Sequence, residues 1–314
     1  MTPSKVADMC RAVASAIVAI AVLASLWLLS GTAPVRADDN LVAAPSPSPT
    51  ASPAGPCAAS ALSSIAVRPG IGRAPATGGA VCVAPPGVVV LSLGYRDQAT
   101  TGTGRQQLVV YPEPTLIVGL PSSTELIVAP SLSYSQRIGS NGSALPPTNG
   151  LQDSGIGLQR VVSDYPWVQQ SVELFATFPT GYPAGPIGFS AGAPTYQLSY
   201  TVAVPLNARL GASFSGALLV ASAAAPSNSV QRYLAFVPAA NLSYAASPAT
   251  ALLLEDQIGA PSAPHGPTAN RALFGVQQVL SPNVVLDVDY ETNALPPPGF
   301  NQHTTFEAGV TLRL

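Results

Sequence analysis

Three carboxylates lie close together near the end of the sequence, at Asp287, Asp289 and Glu291. Their two-residue spacing places all three on one face of an extended chain, because successive side chains of a strand point in opposite directions. Oxygen ligands that converge in this way could bind Ca²⁺ or a cationic solute. The alternative is a polar wall in which the carboxylates pair with Arg313 and Arg271 on neighbouring strands. We expect the polar wall, with no metal site and no cofactor.

An enzymatic site would have to use His265 or His303, the only two histidines of the chain. Both are placed in stretches rich in Pro, Gly and Asn, and no serine in a suitable local pattern accompanies them. The segments Gly102-Thr103-Gly104 and Gly155-Ile156-Gly157 resemble phosphate-binding loops only superficially, since neither falls between a buried strand and a helix. The sequence therefore favours a protein that is not an enzyme.

The composition limits the kinds of protein that this chain can be. A hydrophobic content of 47% over 314 residues excludes a wholly disordered protein. Only 9% of the residues are charged, against about 25% in soluble globular domains. A surface in contact with lipid, a sugar coat or a stable assembly could account for this low value. The net charge of -2 makes nucleic acid an unfavourable partner, and the abundance of Pro and Gly disfavours a helical fold.

The N-terminus has the pattern of a signal peptide. Lys5 and Arg11 precede an apolar run over residues 12–29, and Val35-Arg36-Ala37 fits a small-residue cleavage site. We predict a Sec-type signal peptide over residues 1–37, removed after Ala37 during export. The alternative is an uncleaved membrane anchor, because the run approaches the length of a spanning helix.

Residues 38–86 are dominated by Ala, Pro, Ser and Gly and show no sustained apolar period. This composition is typical of a linker. Cys57 and Cys82 are the only cysteines left after removal of the signal, and an even count in an exported protein predicts a disulfide between them. Such a loop closure would restrict the unfolded chain by about 3 kcal/mol. The alternative is two free thiols in a disordered segment.

Residues 87–314 consist of short runs with a period of two, separated by clusters of Pro, Gly, Asn and Ser. We count about twelve runs. The third is expected over residues 125–136, followed by a long polar loop to about residue 153. Connections between the runs are alternately short and long, and the short turns lie around the following prolines: Pro121, Pro166, Pro205, Pro248 and Pro282.

The sorted turns distinguish between two all-β folds. A β-sandwich also alternates apolar and polar residues, but it has no reason to place its short turns at one end. A transmembrane barrel does, since its periplasmic turns are short and its external loops are long. The sequence therefore predicts a closed antiparallel transmembrane β-barrel of about twelve strands over residues 87–314, with outer-membrane lipid against its uncharged outer face.

The polar face of the runs would then line the lumen of the barrel. Ser, Thr, Gln and Gly on this face can hydrate a lumen, but they assemble no nucleophile, base and oxyanion site. We expect the charged side chains on this face to line the lumen and contact solutes, namely Glu125, Glu173, Asp287, Asp289, Glu291, Glu307 and Arg313.

The last run, residues 304–314, alternates between an apolar and a polar face and ends on Leu314. A terminal strand of this type resembles the C-terminal signal by which bacterial outer-membrane barrels are recognised for insertion. We therefore expect the barrel-insertion machinery to be a partner of this strand.

Four motifs occur in order between about residues 86 and 314. They are Pro86-Gly87 before a run that reaches Gly94-Tyr95, Asp153-Ser154-Gly155-Ile156-Gly157-Leu158, Phe178-Pro179-Thr180-Gly181, and Ser281-Pro282-Asn283 before the penultimate run. In their order and spacing, these motifs resemble the outer-membrane transporter-like family of the MetA-pathway of phenol degradation. The chain differs from the family pattern in its Pro/Ala/Ser-rich front with a cysteine pair, and in ending on Leu314 rather than an aromatic residue.

This resemblance implies an outer-membrane barrel that takes up small hydrophobic or aromatic compounds. Together with the polar inner face, it leads us to expect passive passage or binding of small solutes. The solute class follows from the resemblance alone. The alternative is an exported β-sandwich or barrel with a structural, adhesive or ligand-binding role.

Overall fold

The structure is a computed structural model that describes residues 82–101, 106–132, 134–138, 144–165, 167–182, 190, 192–207, 209–224, 230–258, 270–293 and 302–314. The expected signal peptide, most of the expected linker, Cys57 and His265 lie outside these residues. Within the described ranges, no helix is long and apolar enough to cross a membrane.

Every regular element of the described chain is a β-strand. Alternating apolar and polar residues, with many Val, Leu, Thr and Tyr, favour this conformation over a helix. The strands are β1 (Val89–Thr101), β2 (Gln106–Leu120), β3 (Thr124–Ala129), β4 (Tyr134–Ile138), β5 (Ala144–Leu151), β6 (Ser154–Tyr165), β7 (Val168–Phe178), β8 (Thr195–Pro205), β9 (Leu210–Ala224), β10 (Val230–Ser247), β11 (Thr250–Ile258), β12 (Asn270–Ser281), β13 (Val284–Asn293) and β14 (Gln302–Arg313).

Twelve of these strands close into an antiparallel barrel. Neighbours in the sheet follow the order β1, β14, β13 and so on down to β6, then β3 and β2, and β2 pairs with β1. The first and last strands meet over twelve residue pairs, from Val90 opposite Arg313 to Thr101 opposite Gln302. The predicted closed barrel is therefore confirmed.

The five proline-bearing turns lie at the end of the barrel where β1 begins and β14 ends. They join β2 to β3, β6 to β7, β8 to β9, β10 to β11 and β12 to β13 through two to four residues. The connections at the opposite end vary from four to sixteen residues. We call the first end the short-turn end and the second the long-loop end.

The third run differs from its prediction. It divides into β3 and β4, since the pairing with β2 stops at Val128 and resumes at Tyr134. Pro130 lies in the gap, and a proline cannot donate a ladder hydrogen bond. The stretch predicted as a long loop contains β5, which pairs with β4. Since β5 has no ladder with β6 in the described residues, β4 and β5 form a hairpin beside the twelve-strand ring.

The barrel exposes apolar residues on its outer face and buries polar ones on its inner face. On β13, Leu286, Val288 and Tyr290 are 39%, 46% and 49% exposed, whereas Asp287 and Asp289 are buried. A soluble sandwich would show the opposite arrangement. Aromatic side chains are exposed towards both ends of the barrel, with Tyr196 and Tyr290 at the long-loop end and Tyr244 and Trp167 at the short-turn end.

Candidate functional site

The carboxylates named from the sequence follow the inner face of the barrel. Glu125, Glu173, Asp287 and Asp289 are buried on that face. The remaining three, Glu291, Glu307 and Arg313, are half-buried and share the inward alternation of their strands. The structure thus places all seven side chains where the alternation predicted them, while their contact with a solute stays a prediction.

One row of charged residues crosses four neighbouring strands. Arg96 of β1 donates from Nη2 to Glu113 Oε1 of β2 at 2.8 Å. Across the other edge of β1, Arg96 lies opposite Glu307 of β14. Glu307 in turn lies opposite Asp289 of β13. Because cross-strand neighbours on one face are close enough to interact, the row combines one guanidinium with three carboxylates.

A second row crosses β3, β6, β7 and β8. Glu125 lies opposite Gln159, Gln159 opposite Glu173, and Glu173 opposite Ser199. All four are buried. The amide of Gln159 separates two carboxylates, so this row alternates charged and neutral side chains, unlike the first.

Two carboxylates of β13 lie over glycines of the adjacent strands. Gly275 of β12 is the register partner of Asp289, and a Cβ placed there would overlap Asp289 Oδ1. Gly309 of β14 is the partner of Asp287, and a Cβ there would lie 2.8 Å from both carboxylate oxygens. The absence of a side chain on each glycine provides the space for each carboxylate.

The pairing expected between carboxylates and Arg271 is present. Arg271 Nη1 lies 3.5 Å from Glu291 Oε1. His303 forms a hydrogen bond with Thr100, in which His303 Nδ1 and Thr100 Oγ1 are 2.9 Å apart. Among the described residues, no group of three His, Cys, Asp or Glu side chains could hold a metal ion. The inner face of β13 thus pairs one of its carboxylates, Glu291, with an arginine of the neighbouring strand.

Phe175 is an inward residue that the sequence analysis did not identify. It is 3% exposed and is the register partner of Gly157. Cβ atoms built at Gly155 and Gly157 would both overlap its ring, so the ring lies against the bare backbone of β6. The alternation of β7 could have identified it, because Phe175 lies two residues from both Glu173 and Thr177 and so shares their inward face.

The residues before β1 contact the short-turn end of the barrel. Ala84 is 3% exposed, and its N–H donates to Glu125 Oε2 at 2.7 Å. Gly87 N–H donates to Gly119 O at 3.0 Å, and Gly119 N–H donates to Val88 O at 2.8 Å. Ala84 also packs against inward apolar residues of the barrel wall, namely Val90, Ile117 and Val285. Residues 82–88, which we call the entry segment, therefore cover part of the inner face at this end.

We predict that Cys82, the first residue of the entry segment, is joined to Cys57 in the mature protein. Cys82 is disulfide-bonded in the structure, while Cys57 lies outside the described residues. A digest of the exported protein without reductant should release peptides that contain both cysteines joined, as measured by mass spectrometry. Recovery of both cysteines as alkylated thiols from native protein would contradict the pairing.

The wall of the barrel is interrupted on both sides of β2. Towards β3 and β4, the described residues give β2 no ladder partner over residues 112–115. Towards β1, the pairing shifts register between Gly94 and Arg96. Pro112 and Pro114 contribute no N–H, which explains why a regular ladder does not form here.

A groove and a cavity lie on opposite sides of this interruption. The groove, of about 390 Å³, is apolar and lies on the outer face, lined by Leu93, Gly94, Tyr95, Tyr111, Pro112, Ala308, Gly309 and Val310. The cavity, of about 60 Å³, is lined by Arg96, Glu113, Pro114, Thr115, Ala129, Pro130, Gln152, Asp153, Gly155, Phe175 and Thr177. The apolar groove outside and the mixed polar and apolar cavity inside thus approach each other where β2 has no ladder partner towards β3 and β4 in the described chain.

Comparison with solved structures shows the same fold in an outer-membrane channel. The COG4313 outer membrane channel from Pseudomonas putida F1 superimposes with a TM-score of 0.58 and 11% identity, over 76% of this chain and 100% of the channel. The chain shares the fold of that channel. Similarity also extends to other outer-membrane proteins at lower TM-scores. The NanC porin superimposes with a TM-score of 0.45 and 10% identity, over 71% of this chain and 100% of the porin.

No protein-family model matches the sequence, and no curated protein matches it significantly. The resemblance to the phenol-pathway family therefore stays a prediction, while the likeness to outer-membrane channel barrels is established at the level of the fold.

Proposed function

We propose that the chain is a non-enzymatic outer-membrane barrel that mediates passive passage or binding of small, largely apolar solutes. The outer groove and the inner cavity at the interrupted wall support this proposal. Solutes of this class partition into the lipid around the outer face, and the groove adjoins that lipid. The prolines of β2 leave few ladder hydrogen bonds between the groove and the cavity. A solute that moves from the groove to the cavity would therefore disrupt little of the sheet.

The C-terminal strand supports the outer-membrane location. In β14, Phe306 is 44% exposed on the outer face, while Thr305 and Thr311 are buried on the inner face. We propose that β14 is the strand recognised by the barrel-insertion machinery, because its alternating apolar and polar faces fit that signal.

A structural role is the second candidate function. The entry segment covers part of the inner face at the short-turn end, and a barrel of this size can be filled by its own residues. In that case no solute would pass, and the buried carboxylate rows would serve only to hold the wall together.

Solute flux distinguishes the two candidates. Purified protein would be placed in vesicles, and entry of toluene and of benzyl alcohol would be measured against empty vesicles. Protein that lacks residues 38–86 would be measured in parallel to remove any obstruction by the segment before β1. We expect faster entry with protein than without it. Entry equal to that of empty vesicles with both forms of the protein would defeat the transport function and favour the structural one.

A further inference from the structure

We propose that the cavity beside Phe175 binds the head group of an apolar solute through one neutral acceptor oxygen, a hydroxyl or a carbonyl, that accepts a hydrogen bond from Arg96 Nε. This inference deepens the proposed function, on which it rests, by naming the class of solute and the donor that recognises it. The site lies on the inner side of the interrupted wall.

The donor is the Nε–H of Arg96. This nitrogen is buried, and it has no hydrogen-bond acceptor among the described residues. The same guanidinium uses Nη2 to donate to Glu113 Oε1 at 2.8 Å, so its position is fixed by an ion pair. A buried donor without an acceptor destabilises the folded protein, because its lost hydration is not replaced. An oxygen that entered the cavity would remove this destabilisation.

The charges around the cavity favour a neutral oxygen over a carboxylate. Arg96 contributes one positive charge to the lining, while Glu113 and Asp153 contribute two negative charges, so the lining carries one net negative charge. Asp153 is held in place, since Gly181 N–H donates to its Oδ1 at 2.9 Å. Glu307, opposite Arg96 in the register, adds a further negative charge nearby. An anionic head group would be repelled by these surroundings.

The size and lining of the cavity determine which part of the solute fits. Its volume of about 60 Å³ is well below the roughly 150 Å³ of an apolar cavity that binds benzene, so it admits a hydroxyl or carbonyl group but not a ring. Phe175, Pro114 and Pro130 supply apolar surface in the same lining. Only the oxygen of the solute and the carbon that carries it would therefore enter the cavity, while the rest of its apolar body stays outside.

The substitution Arg96→Lys tests the donor. Lysine keeps the positive charge beside Glu113 but has no Nε–H in the side-chain stem. Binding of benzyl alcohol and toluene to protein in vesicles would be measured by ligand-observed NMR, with empty vesicles subtracted. We expect the preference for benzyl alcohol over toluene to fall about two- to tenfold. Arg271→Lys is the matched control, since Arg271 forms the other inner ion pair, with Glu291, and should leave the preference unchanged.

The substitution Glu113→Gln tests the charge argument and does not depend on the folding of the Arg96→Lys variant. Removal of one negative charge should raise the affinity for benzoate relative to benzyl alcohol. An unchanged preference in Arg96→Lys, an equal change in Arg271→Lys, or preferred binding of benzoate by the unaltered protein would overturn the proposed site.

Different results would contradict the passage of solutes and the head-group site at Arg96. Faster entry of toluene together with an unchanged preference in Arg96→Lys would remove the head-group site and leave passage intact. Binding of benzyl alcohol that depends on Arg96, without entry of either solute, would leave the site intact and remove passage.

Discussion

Gly119→Val is expected to displace the entry segment from the barrel and to increase ion conductance through it. A Cβ at Gly119 would overlap the carbonyl oxygen of Pro85 and lie 2.6 Å from that of Ala84, both of them backbone atoms that cannot rotate away. The substitution would also break the two hydrogen bonds between Gly119 and residues 87–88. Their loss amounts to about 1–3 kcal/mol, which shifts the population of the attached segment about 5- to 150-fold.

Planar-bilayer recording would measure the conductance, and limited proteolysis would measure the accessibility of the entry segment. Gly211→Val is the control, because the atom nearest to a Cβ at that position is the Ser243 hydroxyl, at 3.0 Å, and the only backbone neighbour, Val204 O, is at 3.9 Å. Conductance and proteolysis that do not differ between the two variants would contradict an obstructing role for residues 82–88.

Phe175→Ala is expected to lower the free energy of unfolding by about 3–5 kcal/mol, the range for removal of a buried aromatic ring. The ring covers Gly155 and Gly157 of β6. Because glycine has no side chain, neither residue can fill the space that the ring leaves. The temperature at which the folded, fast-migrating band disappears from a gel would measure the loss.

Phe274→Ala is the matched control for this substitution. Phe274 is 51% exposed on the outer face, so its removal leaves no internal cavity and should lower that temperature much less. Equal effects of the two substitutions would show that Phe175 does not pack inside the barrel.

The alternation of residue types, together with the sorting of short and long turns, was sufficient to predict the barrel and the side of the wall on which Asp287 and Asp289 lie. Asp287 and Asp289 demonstrate why. They share a strand with Leu286 and Val288, and a period of two separates the pairs onto opposite faces whatever the neighbouring strands are. Pro121 and Pro282 identified short turns for a similarly local reason, since proline ends a ladder.

Features that depend on two distant segments could not be predicted in this way. The break of the third run at Pro130 follows from its pairing with β2, and the contact between Ala84 and Glu125 joins residues that no periodicity connects. The Arg96–Glu113 ion pair likewise requires the register of β1 against β2, including the shift after Gly94. The candidate site is composed of such contacts, so the sequence indicated the neighbouring carboxylate Glu307 but neither Arg96 nor Glu113.

The pairing of β1 with β14 also determines how this chain must fold. The hydrogen bond between Ser92 and Thr311 joins residues 219 positions apart, so the ring cannot close until nearly the whole barrel sequence is available. Contacts of such long range make folding slow. Until closure, the edges of both strands carry unpaired backbone groups that can pair with other chains. We therefore expect refolding to compete with aggregation, and the yield of closed barrel to fall as the protein concentration rises.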